Sequence, residues 1–390
     1  LPILDDVISR GKRMPVCLNS SPASHNLQPC AKVDCGRPSD ASGKHSDRII
    51  TIGLINNMPD GALEATERQF LSLLDAASDG IHICLSLYSI PSVPRGEFGA
   101  RHIRESYSNA EELLERQVDG LIVTGREPAA TDFAEEPYWE SFTNVLEWAR
   151  ENTYSTVWSC LAAHAAVYYL DGIKRVKSSA KSCGVFECSR LREHPLVAGT
   201  PSQYRLPHSR WNGLPEDQLT ANGYDIVTRA DEFGVDSFTK DLNSMFVFFQ
   251  GHPEYESSTL MSEYRRDVGR YLRSETGTYP SMPRGYFDPE TVHALTAIRQ
   301  EAESNARKEL LSQLSSVLEK TRIDNTWNTT AVQIYRNWLQ EICARKDRKL
   351  RSRVAAAETN TQIVSKTFPL LSTAIDTRVS FTGAMPFGPR

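Results

Sequence analysis

A chain of 390 residues with a formal net charge of only −5 is long enough to bury a full core, and its charge balance gives no electrostatic reason to expect nucleic acid or an anionic membrane as partner. No apolar run reaches the ~18 residues of a membrane span, and the opening residues, Leu1 to Asp6, show no basic segment followed by an apolar one, so no secretory signal is expected. Eight cysteines scattered without metal-ligand spacing point to a reducing, cytoplasmic setting. Cys183 and Cys188 have no second His/Cys pair nearby and do not read as a zinc site.

Residues 1–47 are rich in Ser, Pro, Asn and Lys without apolar periodicity, and a disordered leader is expected there. The pattern then predicts a buried strand over 49–55, a loop over 56–60, and a helix over 63–74 carried by Leu63, Thr66, Phe70, Leu71 and Leu74. Strands over 81–87, 120–124 and 154–159 alternate with helices around 110–117 and over 138–151. Strand and helix in regular alternation imply an α/β fold with a doubly wound, mostly parallel sheet. Beyond a helix starting at Leu161 the pattern loosens into strands at 185–188 and 224–228, an aromatic loop at 207–212, a strongly apolar strand at 245–250 and a helix over 258–273.

After Thr276, Gly and Pro at 277, 280, 283 and 285 read as a linker. Asp288-Pro289-Glu290 then has the cap and first-turn residues of a helix, and Val292, Leu295, Ala302, Ala306, Leu310, Leu314 and Val317 recur at near-helical spacing. A second helix is predicted over 330–345. The expected organisation is a leader (1–47), an α/β domain (48–275), a helical extension (276–348) that packs in cis or across a dimer, and a mobile tail (349–390).

Cys160 sits where the strand at 154–159 meets the small-residue helix from Leu161. A free thiol is only a few per cent thiolate at neutral pH, and a helix N-terminus supplies both a favourable dipole and donors for an oxyanion. His252 follows an apolar strand, at the edge where open α/β sheets build their sites. Pro253 disfavours helix at His252, so Glu254, two residues on, can face the same side and orient the imidazole. The expected constellation is a Cys160-His252-Glu254 triad.

The order of motifs resembles the homoserine O-acyltransferases of the MetA type, a branch of the class I glutamine amidotransferase-like, flavodoxin-like fold. The resemblance rests on Asn57-Met58-Pro59, Glu67-Arg68-Gln69-Phe70, the run from Asp119 to Gly125, Tyr138-Trp139, Cys160 with Ala165-Ala166, Lys181 with Gly184-Val185, Pro207-His208-Ser209-Arg210 and Gly251-His252-Pro253-Glu254-Tyr255. It spans roughly 49–272, with the leader and the C-terminal helices outside it. It implies Cys160 as acyl-accepting nucleophile, His252 as base, Glu254 as its orienter, and Lys181 and Arg266 as binders of the amino-acid substrate. It also implies ping-pong transfer from acyl-CoA to L-homoserine in methionine biosynthesis, a homodimer, and no metal or redox cofactor.

Three positions depart from that pattern. His164 replaces the usual Gln, as a second base or a packing residue. Gln203 stands at the position assigned to acceptor choice, usually Ser, which leaves serine or another hydroxy amino acid open. Ala129 occupies the acyl-specificity position, where a small residue goes with succinyl and Glu with acetyl transfer, so succinyl-CoA is favoured over acetyl-CoA. Two rival readings remain: a glutaminase, disfavoured because Trp158 and Ala162 replace the glycines of a tight Gly-x-Cys-x-Gly elbow, and a non-catalytic binding protein.

Overall fold

A computed structural model describes residues 16–18, 48–305 and 309–367. Its strands are β1 (Val16–Leu18), β2 (Arg48–Ile55), β3 (Ile81–Ser89), β4 (Ser108–Asn109), β5 (Gly120–Thr124), β6 (Ser155–Ser159), β7 (Val176–Arg190), β8 (Gln203–Gly213), β9 (Asp225–Ala230), β10 (Gly234–Asp241) and β11 (Met245–Phe249). They form one sheet in the order β1-β3-β2-β5-β6-β11-β10-β9-β7-β8, with β4 beside β3. From β1 to β11 every neighbouring pair is parallel, and from β11 to β8 every pair is antiparallel. The central β3-β2-β5-β6-β11 order is that of a doubly wound flavodoxin-like layer, as expected.

The helices are α1 (Leu63–Ala77), α2 (Glu97–Ser106), α3 (Trp139–Asn152), α4 (Leu161–Asp171), α5 (Glu216–Ala221), α6 (Thr259–Leu272), α7 (Pro289–Ser304), α8 (Leu310–Lys320) and α9 (Asn328–Thr367). One sheet face packs with α3 and α4 around Phe142, Leu146, Trp158, Ala163 and Phe246. The other is covered by α1 and by Trp338, Leu339 and Ile342 of α9 over Ile52, Ile122 and Val157. Strands buried on both faces explain why 49–55, 120–124 and 245–249 read as nearly continuous apolar runs.

Several expectations are corrected. Val16–Leu18 lies within the supposed leader yet forms an edge strand, each residue paired with one of Ile83, Cys84 and Leu85; the rest of 1–47 lies outside the described residues. The helix expected at 110–117 is a 3-10 turn, Ala110–Glu115, closed by an Asn109/Glu112 capping box. The aromatic loop at 207–212 is strand β8, which among the described residues pairs only with β7. Pro207 is tolerated there because an edge strand has one side free of ladder bonds.

The C-terminal helices are the largest correction. Asp288 caps α7 as predicted, its carboxylate accepting from the Thr291 N–H at 2.9 Å. The long apolar repeat is broken, however, because Asn305 leaves the helical region (φ −156, ψ 89) and a separate helix starts at Leu310. Leu295, Ile298, Ala302, Leu310, Leu314 and Leu318 pack in cis with Tyr264, Val268 and Leu272 of α6. The helix predicted over 330–345 extends as α9 from Asn328 to Thr367, so 349–367 of the expected tail is helical, while 368–390 lies outside the described residues. The chain divides into one unit ending at Arg345 and a second from Lys346.

Within the first unit, α9 is part of the core. Trp338 is 1% exposed and its indole donates to Ser155 Oγ at 2.9 Å, on the strand that leads to Cys160. A Cβ on Gly120 would lie 2.6 Å from Ile342 and 3.3 Å from Trp338, so the glycine makes room for this helix. Trp338→Ala is expected to lower stability by about 3–5 kcal/mol through the cavity it leaves, measured as a reduced midpoint in urea unfolding.

Candidate active site

The site is built where β6 turns into α4. Cys160 adopts φ 53, ψ −114, a conformation that residues with a Cβ rarely occupy and that costs on the order of 1–3 kcal/mol. The turn lifts the side chain out of the sheet in the manner of a nucleophile elbow. The sequence argument against a tight elbow is therefore overturned, since Trp158 and Ala162 accommodate it without flanking glycines. A glycine comes from the neighbouring strand instead. A Cβ on Gly125, just past β5, would sit 2.4 Å from Ala162 N and 2.6 Å from Leu161 N. Neither of these first-turn N–H groups has an acceptor among the described residues, so they are free to hold an anion. The Cys160 N–H itself donates to the Phe249 carbonyl at 2.7 Å.

His252 reaches the same place because β11 lies parallel beside β6, with Phe249 opposite Ser159. Both strands end at one sheet edge, and their following residues meet. The His252 N–H is tied to the Pro207 carbonyl of β8 at 2.8 Å. Its Nδ1 is 2.8 Å from Glu254 Oε1, which also accepts from Ser159 Oγ at 3.3 Å. With Nδ1 occupied, Nε2 is left to make the ring's hydrogen bond with Cys160. Burial alone would depress His252, but the Cys160 sulfur and the Glu254 carboxylate outweigh it and hold the imidazole well above its ordinary pKa. The arrangement therefore favours the protonated form of the His252 ring. The Tyr255 ring stacks on His252 at 4.1 Å, and the Trp327 indole donates to the Tyr255 carbonyl at 2.7 Å, which anchors the loop to the start of α9.

The two cations named from sequence lie together beside this triad. Lys181 Nζ is 3.4 Å from Asp267 and 3.8 Å from Glu263, and Arg266, whose side chain is 58% exposed, pairs with Asp267 at 2.9 Å. Glu263 also accepts from Tyr255 Oη at 2.7 Å and from Ser209 Oγ. A chain of contacts thus runs from His252 through Tyr255 to Glu263, Ser209 and Lys181. Sequence reasoning passed over Ser209, Glu263 and Asp267. The signal was present: Ser209 lies inside the quoted Pro207–Arg210 motif, and Glu263, Arg266 and Asp267 share a helix face by their spacing.

Gln203 is not in this cluster. It is exposed at the start of β8, opposite Ser189, and lies six residues along the strand, about 20 Å of chain, from Ser209. Ser209 is the residue of β8 that meets Glu263. Ala129 is exposed on the loop that follows Gly125. That loop is held by Arg126, which donates to the Pro94 carbonyl at 2.6 Å, and by buried Glu136, which accepts from the Ala130 N–H at 2.6 Å.

His164 is a packing residue and not a second base. It is buried, its Nε2 is 3.0 Å from Gln250 Oε1, and burial together with the Arg210 charge pushes its pKa down to about 3. A histidine held neutral in the fold is protonated more readily in the unfolded chain, so its contribution to stability is present above the unfolded pKa of about 6.5 and is lost as pH falls below it. His164→Gln should flatten the acid side of the stability profile by up to about 1.4 kcal/mol per pH unit between roughly pH 6 and 4, read from urea unfolding at stepped pH.

Among the described residues, one group offers metal-ligand atoms together: Cys188, His208 and Asp236, with ligand atoms within 4.8 Å of one another. His208 Nε2 is 3.2 Å from Asp236 Oδ1 and 4.0 Å from Cys188 Sγ. Thr228 Oγ1 already donates to Asp236 Oδ2 at 2.8 Å, and the Arg210 charge acts on both Asp236 and Cys188. A cation beside three ligands is unfavourable for a divalent ion, and the group fits a buried hydrogen-bonded cluster beneath Gly251, whose added Cβ would touch both His208 and Asp236.

Comparison with known proteins bears on this geometry. The family model for homoserine O-succinyltransferase matches residues 18–348. Homoserine O-succinyltransferases from Rhodopseudomonas palustris and Bradyrhizobium japonicum are each 42% identical, the first over 81% of this chain and 94% of the relative, the second over 74% and 89%. That from Methylorubrum extorquens is 40% identical over 80% and 93%. Among solved structures, a glutamine amidotransferase from Methylobacillus flagellatus aligns with a TM-score of 0.42 at 14% identity, over 76% of this chain and 96% of that one. The match to residue 348 takes in the C-terminal helices that the sequence reading had left outside.

Proposed function

We infer that this chain, which belongs to the homoserine O-succinyltransferase family, moves a succinyl group from succinyl-CoA to the hydroxyl of L-homoserine through an acyl-enzyme on Cys160. The observation that carries the mechanism is the strained Cys160 backbone, which aims the thiol at His252 beside two unsatisfied N–H groups. The thiolate attacks the thioester carbonyl, and the Leu161 and Ala162 N–H groups face the oxygen on which negative charge develops. Collapse expels CoA as its thiol, protonated by the His252 imidazolium. The neutral imidazole then takes the proton of the homoserine hydroxyl as its oxygen attacks the acyl-Cys160 carbonyl, and O-succinylhomoserine leaves as the thiolate reforms. Glu254 keeps the imidazole oriented through both halves.

The acceptor reading follows from charge. Arg266 and Lys181 suit an α-carboxylate, and Glu263 and Asp267 suit an α-ammonium group. The small Ala129 side chain and the names of the relatives support succinyl as the acyl group. Acetyl-CoA as donor, and serine as acceptor, are the alternatives that the assay must separate. No helix of the described residues is long and apolar enough to cross a membrane. A cytoplasmic setting is supported by the thiols of Cys160, Cys183 and Cys188, which form no disulfide, and a homodimer by the family resemblance.

The test is a single-turnover experiment without acceptor. Succinyl-CoA should release one equivalent of CoA and leave a succinyl group on the Cys160 peptide in mass spectrometry, and L-homoserine should then discharge it. Acetyl-CoA and L-serine, supplied in competition at equal concentration, should give the lower kcat/KM. Turnover without a Cys160 adduct on the pathway would overturn the mechanism, and preference for acetyl-CoA would overturn the donor.

A further inference from the structure

We propose that Tyr255 is a positioning residue that joins the base to the acceptor side of the site, its ring fixing the plane of His252 and its hydroxyl fixing Glu263. The proposal rests on the acyl-enzyme reading above, in which Glu263 stands among the groups that hold the amino-acid acceptor. Glu254 and Tyr255 act on the imidazole in different directions. The contact of His252 Nδ1 with Glu254 Oε1 at 2.8 Å acts in the plane of the ring and leaves it free to rock about that axis. The Tyr255 ring lies 4.1 Å from the imidazole and is inclined to it by only 16°, and a ring stacked at that distance stops the rocking. The same face attracts the imidazole when it carries a proton, a state through which both halves of the transfer pass.

Tyr255 is itself held at two further points. It is 8% exposed, its carbonyl accepts from the Trp327 indole at 2.7 Å, and its hydroxyl donates to Glu263 Oε1 at 2.7 Å. The other Glu263 oxygen accepts from Ser209 Oγ and stands 3.8 Å from Lys181 Nζ. Ser209 lies two residues along β8 from Pro207, whose carbonyl accepts the His252 N–H at 2.8 Å. The contacts therefore close a circuit, from His252 through Tyr255, Glu263 and Ser209 and back along β8 to His252. With both oxygens engaged, the Glu263 carboxylate is oriented before an acceptor arrives, and it cannot shift independently of the base.

Ping-pong transfer separates the two roles of Tyr255, because His252 serves both half-reactions and Glu263 only the second. The experiment follows single turnovers by rapid quench. It measures CoA release from succinyl-CoA without acceptor, and then discharge of the succinyl-enzyme by L-homoserine, in the wild type, Tyr255→Phe, Tyr255→Leu, Glu263→Ala and the double variant Tyr255→Phe/Glu263→Ala. Tyr255→Phe keeps the ring and adds no charge. It should release CoA within about twofold of the wild-type rate, while its second-order rate of discharge by L-homoserine falls about tenfold, the scale of one hydrogen bond to a charged group. In the Glu263→Ala background the same substitution should change discharge by less than about twofold, because its partner is already gone. Tyr255→Leu loses the ring and should slow both half-reactions about tenfold or more.

A merely structural Tyr255 predicts equal losses in the two half-reactions of folded Tyr255→Phe. That result overturns the proposal, as does any other division of the loss, or an undiminished effect of Tyr255→Phe in the Glu263→Ala background. A folded Tyr255→Leu that acylates at the wild-type rate overturns it too; should that variant fail to fold, Tyr255→Phe and the double variant decide. The two readings fail distinguishably: a wild type without a CoA burst and a Cys160 adduct sinks the acyl-enzyme and the proposal with it, whereas a normal burst and adduct with unsplit half-reactions in Tyr255→Phe sinks only the role of Tyr255.

Discussion

Cys160→Ala is expected to lower succinyl transfer by on the order of 10⁴-fold or more, the scale on which loss of a covalent nucleophile is felt when the rest of a triad remains. The fold should survive, because alanine removes only the sulfur and the residue is not part of the deeply buried core. Removing the sulfur also removes the negative partner of His252, one of the two influences that hold its imidazole above the ordinary value. The His252 pKa should consequently fall in Cys160→Ala, which an NMR titration of its ring protons would detect. Retained turnover in a correctly folded variant would mean that another group accepts the acyl chain or that transfer is direct.

Gly125→Ala should be the next most damaging of the substitutions considered, although it deletes nothing. The added methyl would lie 2.4–2.6 Å from the N–H nitrogens of Ala162 and Leu161, far inside contact distance. It must displace the turn or cover the two donors. Loss of one oxyanion donor costs about 10²–10³-fold in kcat, and that range is expected here, with a smaller change in KM for homoserine on the proposed reading, in which Lys181 and Arg266 hold the acceptor. Steady-state kinetics with a circular-dichroism check of folding would measure it. A kcat within a few-fold of wild type would show that these N–H groups do not face the developing charge.

The parallel half of the sheet was legible in the chain because a strand buried on both faces must be apolar almost throughout, and runs such as 120–124 and 245–249 have few other uses. The antiparallel half was less legible. β8 contains Pro207, His208 and Arg210, polar or strand-breaking residues that are admitted by an edge position and by buried partners supplied from β10 and from Gln250, just past β11. The break between α7 and α8 was likewise hidden, since apolar spacing passes through Asn305 as if the helix continued.

What the sequence determined by itself was which groups make up the candidate triad. A cysteine at a strand-to-helix seam and a His-Pro-Glu run after an apolar strand are local patterns, and local patterns survive without knowledge of what packs against them. Only the tertiary structure decided how those groups are served. Gly125 clears the helix N-terminus from another strand, Ser209 and not Gln203 meets Glu263, and Arg210 reaches Gln250 from β8. Each of these joins residues far apart in the chain, where side-chain periodicity carries no information and only the registration of neighbouring strands fixes which residues meet.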